Sequence, residues 1–130
     1  MIQRAIPKLD GRAGAAGVAL SIVVALLGFS LGFPATGEWI GALLGGYLGG
    51  RMAGRDGLFH GAVVGAIEVL ALAILTTAAT TSASNAVVDT VATIVSDVVV
   101  LALATIGGRL ATRSLGPSAP SSSSDTDRDR

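Results

Sequence analysis

The sequence predicts an all-α integral membrane protein, a bundle of four transmembrane helices with a glycine-rich hairpin joining the second helix to the third. Three observations carry this reading. The chain is 51% hydrophobic and 14% charged, with a mean hydropathy of +0.69. Soluble domains are nearer a quarter charged, and a chain of 130 residues has too little interior to hide so much apolar surface. Four long apolar segments follow one another with short polar links. All nine basic residues sit at the chain ends or in the second connection, and none sits in the first or third.

The first segment, residues 14–33, reads "GAAGVALSIVVALLGFSLGF". At 1.5 Å per residue it spans roughly 30 Å, the hydrocarbon thickness of a bilayer. Arg4, Lys8 and Arg12 precede it, as they would in a signal peptide. The apolar run exceeds the usual signal core, however, and no A-x-A site follows, so a retained helix is expected. Pro34 and Gly37 are expected to break it.

The second segment, residues 38–53, is the shortest, with 12 residues between Glu38 and Arg51. That length also suits a re-entrant or buried helix. Arg51 can snorkel to the surface, and Trp39 stands where an interfacial anchor belongs. The third, residues 58–80, is interrupted only by Glu68. The fourth, residues 86–110, contains Asp89 and Asp97 and is rich in valine and threonine. Strand propensity is overruled there by length, because a lipid-exposed backbone must satisfy its own hydrogen bonds. The domain so defined covers residues 14–113. Residues 1–13 form an N-terminal segment in which Ile2, Ile6 and Leu9 can dip into the interface, and residues 114–130 read as a disordered tail.

Arg4, Lys8, Arg12, Arg51, Arg55, Arg109, Arg113, Arg128 and Arg130 are the basic residues. The positive-inside rule then puts both termini in the cytoplasm and the protein in the cell membrane, provided that the second segment crosses.

Composition excludes several functions. There is no cysteine and one histidine, so no thiolate or histidine metal cluster is available, and neither metal nor cofactor is expected. Net charge is zero and no basic stripe crosses the helices, so nucleic acid is not an expected partner. The glycines around "GGYLGGRMAG" match neither a phosphate loop nor a dinucleotide fingerprint. With no nucleophile–base pair either, an enzyme is not expected.

The glycines instead fall four apart. One row is Gly37, Gly41, Gly45 and Gly49, a second is Gly46, Gly50 and Gly54, and a third is Gly57, Gly61 and Gly65. Gly28 and Gly32 add a pair in the first helix. Residues four apart share a helix face, and a face without side chains permits the close approach that drives association in lipid. The expectation is tight packing within the chain, mainly between helices two and three. The alternatives are a homo-oligomeric glycine zipper and a glycine-lined pore.

Glu68 lies roughly 15 Å into its helix, and Asp97 about as far into the next from the opposite side. Each is costly there, by about 2.5–3.5 kcal/mol on insertion scales for Asp. Asp97 belongs to a stripe with Asp89, Thr93 and Ser96. The expected candidate site is therefore Glu68 with Asp97, with Ser96 and Thr93 as further ligands. The alternative is a pair of carboxyl groups serving as packing glue. Asp89 suits the first turn of a helix, and Arg51, Arg55 and His60 are expected to meet lipid headgroups.

The residues Gly45, Gly46, Tyr47, Leu48, Asp56, Gly57, Gly61, Ala62 and Gly65 run a G-G-x-x-x-G helix through a D-G turn into a G-A-x-x-G helix. This hairpin, about a fifth of the chain, resembles that of small four-helix integral membrane proteins of halophilic archaea. The resemblance implies the fold and no activity. The expected role is assembly through glycine packing, with membrane lipid and a second copy as partners. The rival is a proton- or cation-linked channel or transporter component using Glu68 and Asp97.

Overall fold

The computed structural model describes residues 8–79 and 86–116, and among them all regular structure is helical. The order is α1 (Gly11–Ser30), α2 (Pro34–Ala53), a short 3-10 turn (Gly54–Asp56), α3 (Gly57–Ala79) and α4 (Ala86–Ser114). Most of the N-terminal segment, the third connection and nearly all of the tail lie outside the described residues.

Helix α1 starts at an Asp10 cap, whose Oδ1 accepts the backbone N–H groups of Arg12 at 2.9 Å and Ala13 at 3.3 Å. Such a cap satisfies donors that the first turn leaves without partners. At the other end the Gly32 N–H reaches the Phe29 carbonyl at 3.1 Å and the Phe33 N–H reaches that of Gly28 at 2.8 Å. This is a Schellman closure, and it requires Gly32 at φ +83. Pro34 then occupies the first turn of α2, where its missing N–H costs nothing. The expected break at Pro34 and Gly37 is thus displaced: the chain turns within residues 31–33, and Gly37 is inside α2. Helix α2 gains four residues over expectation and matches α1 at 20 residues.

Three helical segments are long and apolar enough to cross a membrane: α1, Gly57–Ile74 of α3 and Asp89–Ser114 of α4. Helix α2 is long enough but is diluted by glycine. Its position explains how that is tolerated. It touches all three other helices, as does α3, while α1 and α4 do not touch each other among the described residues.

Side chains are sorted the opposite way from a soluble core. The largest fully buried ones are His60, Val64, Val100 and Ser21, and the rest of the interior is mainly glycine and alanine. Leucine, isoleucine, valine and phenylalanine point outward on every helix, Phe29 at 71% exposure and Leu70 at 62%. Water would penalise that surface, whereas hydrocarbon does not, and in hydrocarbon small residues between helices hold a bundle together.

The glycine rows show how. Along α1 and α2 the facing pairs are Gly28 with Gly37, Ser21 with Gly41, Gly17 with Gly45 and Ala13 with Gly49, an antiparallel register. Carbon atoms added at Gly17 and Gly45 would each fall within 2.6 Å of the other residue's carbonyl oxygen. The second α2 row faces α4 in parallel, Gly46 against Ala104 and Gly50 against Gly108. The α3 row, Gly57, Gly61 and Gly65, also faces α4. The close glycine seams of α2 are therefore made with α1 and α4. The α2 glycines meet α3 near the shared turn, where Gly49 faces Val64 and Gly50 faces Gly57. Gly32 and Gly54 belong to no seam. Both have positive φ, nothing within 4 Å of an added carbon, and end a helix instead.

Candidate functional site

Glu68 is 4% exposed, at the junction of α1, α2 and α3. Ser21 on α1 donates its hydroxyl to Glu68 Oε1 at 2.5 Å. Ser21 can reach across because it packs against Gly41 and Gly45, which leave no side chain in the way. The other carboxyl oxygen, Oε2, is buried without a hydrogen-bond partner among the described residues. Burying a carboxylate costs several kcal/mol, and one hydrogen bond to a charged group returns only about 1.5–3 kcal/mol. The site is therefore held by the surrounding packing rather than by its own polar contacts.

A cleft of about 270 Å³ opens one helical turn beyond Glu68, towards the chain's first turn. It is lined by Glu38 of α2, Leu72 and Ala73 of α3, and Ala92, Thr93, Ser96 and Asp97 of α4. Ser96 and Asp97 both lie close enough to the Glu38 carboxylate to interact with it. The Thr93 hydroxyl donates to the Asp89 carbonyl at 2.8 Å, within its own helix.

The structure thus regroups the expected pair. Asp97 stands with Glu38, and Glu68 stands with Ser21, outside the cleft lining. Glu38 is the link, since it also interacts electrostatically with Glu68. Helix face explains the difference. Glu68 follows Val64 by four residues and shares its face, which packs against Gly17 of α1, whereas Asp97 lines the cleft with Glu38 of α2. Among the described residues no three of His, Cys, Asp and Glu converge as ligands of one ion would. The carboxyl groups form a track rather than a cage.

Sequence reasoning passed over Glu38 and Ser21. In the sequence Glu38 looks like the end of a short helix, but α2 begins at Pro34 and Glu38 lies inside it. Ser21 had a legible signal, because it continues the small-residue row Ala13, Gly17 at helical spacing.

His60 occupies a different place from the expected headgroup contact. It is 1% exposed. Its Nε2 accepts the Asp10 backbone N–H at 2.9 Å, and its Nδ1 lies 3.0 Å from the Asp56 carbonyl. A backbone N–H can only donate, so the ring is neutral, with its hydrogen on Nδ1. His60 staples the start of α1 to the turn before α3. Arg51 is exposed, and its Nη1 donates to the Tyr47 hydroxyl at 3.2 Å. Arg55 falls in the 3-10 turn at the same end of the bundle.

Comparison with family models, curated proteins and solved structures finds no match.

Proposed function

We propose that the chain is a four-span protein of the cell membrane with both ends cytoplasmic, and that it serves as a proton-linked component of a channel or transporter. The observation that carries the proton reading is the buried Glu68 with Oε2 unpartnered, one turn inward from the Glu38–Asp97 cleft. Intramembrane carboxyl groups strung at intervals suit proton relay. A cation would call for several oxygen ligands converging at 2.3–2.6 Å, as for Ca²⁺. Ser21 occupies one oxygen of Glu68, which leaves Oε2 to take and release the proton.

The topology rests on charge. Lys8, Arg12, Arg51, Arg55, Arg109 and Arg113 all belong to the end shared by the start of α1, the α2–α3 turn and the end of α4. The positive-inside rule assigns that end to the cytoplasm, and the cleft then opens outward. Assembly through a glycine zipper finds less support, because both glycine rows of α2 are already taken up by α1 and α4. The glycines have a role in the site instead: they bring Ser21 to Glu68.

Purified protein in potassium-loaded vesicles, polarised with valinomycin and followed with a pH-sensitive dye, tests the proposal. Potential-driven proton uptake is expected for the wild type and is to be lost in Glu68→Gln. Uptake no greater than in empty vesicles, or uptake unchanged in Glu68→Gln, would end it.

A further inference from the structure

A second cleft, of about 420 Å³, lies at the basic end of the bundle between the start of α3 and the last turns of α4. Asp56, Leu58, Phe59, Arg109, Thr112 and Arg113 line it. Its floor is closed by tight packing, since a carbon added at Gly57 would meet the Thr112 methyl group at 2.6 Å. Arg109 and Arg113 are four apart, so their side chains share one face of α4. Both are exposed, and neither guanidinium is ion-paired among the described residues. Leu58 and Leu110, each nearly half exposed, carry apolar surface away from the rim.

We propose that this cleft binds the phosphodiester headgroup of an anionic phospholipid from the inner leaflet. Guanidinium groups match phosphate oxygens in a planar fork. Basic pockets between helices at the cytoplasmic face are suited to anionic headgroups. The charge fits one phosphodiester: two arginines and the Asp56 carboxylate leave the cleft at +1, which matches a single negative charge rather than a multiply charged phosphate. The volume falls within the range of small-ligand sites. Leu58 and Leu110 offer the acyl chains a surface continuous with the bilayer. The inference rests on the membrane reading above and is independent of the acidic track.

The full chain is extracted in mild detergent from vesicles of phosphatidylglycerol or of phosphatidylcholine, and retained lipid is counted by native mass spectrometry. One phosphatidylglycerol per chain is expected, with little phosphatidylcholine. Arg109→Gln/Arg113→Gln should weaken retention roughly 30-fold, from about fivefold per arginine near a membrane surface. Each single variant should fall between, and both carry the test if the double variant does not fold. Arg12→Gln, at the same end but outside the cleft, should retain lipid normally. Equal retention of the two lipids, no loss in the cleft variants, or displacement of lipid by millimolar inorganic phosphate would each overturn the proposal. Proton uptake is read separately, so failure here leaves the Glu68 proposal standing.

Discussion

Gly46→Ala puts the packing account under its strongest single test. A carbon added at Gly46 would lie 2.0 Å from the Ala104 carbonyl oxygen, 2.6 Å from its carbonyl carbon and 2.7 Å from its Cα. All three are backbone atoms of α4, so no side chain can rotate aside. Restoring an ordinary contact of 3.4 Å in place of 2.0 Å would part the two helices by about 1.4 Å. A gap of about 0.5–1 Å already forfeits a quarter to a half of a van der Waals contact. The seam so opened includes Gly50 against Gly108, and Gly107 against Leu43 and Tyr47. Overpacking of a close-packed site costs about 1–3 kcal/mol, and with rigid partners on both sides the upper end is expected. About 3 kcal/mol is roughly a 150-fold change in the folding constant. The assay is proteolytic susceptibility in mild detergent titrated with dodecyl sulfate. Gly14→Ala is the control, because nothing lies within 4 Å of its added carbon, and it should hold or raise stability. A Gly46→Ala protein within about 0.5 kcal/mol of wild type would refute the reasoning, since that is the ordinary range for an unconstrained site.

Other expectations follow from particular contacts. His60→Phe keeps a buried ring but strands the Asp10 N–H and the Asp56 carbonyl, so a loss of about 1–3 kcal/mol is expected in the same titration. Ser21→Ala removes the one hydrogen bond the Glu68 side chain makes among the described residues and should cost about 2 kcal/mol. That cost should largely vanish in a Glu68→Leu background, and a double-mutant cycle measures the coupling. Glu38→Gln and Asp97→Asn alter the cleft and leave Glu68 itself intact, so each should slow proton uptake in vesicles without abolishing it.

Much of the architecture could be read before any coordinates, because crossing lipid would require a strict length and an apolar surface of each helix. The four segments are visible in the placement of charge, and the step of four between glycines identifies their contact faces. Contact partners are less legible. A row such as Gly37, Gly41 and Gly45 announces close approach but carries no side chain to specify which helix approaches. The expected α2–α3 seam is for this reason an α1–α2 and α2–α4 seam. Helix ends were misread where one residue served two purposes. Pro34 looks like a stop for α1 but is the start of α2, and Gly32 and Gly54 continue a spacing that their positive φ removes from the packing face. His60 carried no local sign of its partners, since Asp10 and the carbonyl of Asp56 meet it only when α1 and α3 are side by side. Glu68 stood out from the start as an isolated carboxyl in an apolar helix, while its partner Ser21 lies 47 residues away in sequence.

The central claim is that Glu68 exchanges a proton within the bundle. Difference infrared spectroscopy of the protein in vesicles, stepped through pH, reads the carbonyl stretch of a protonated carboxyl directly. The account predicts a band that appears and disappears with pH, is absent in Glu68→Gln, and shifts in frequency in Ser21→Ala as the hydrogen bond to Oε1 is lost. A titrating band that persists unchanged in Glu68→Gln would contradict it.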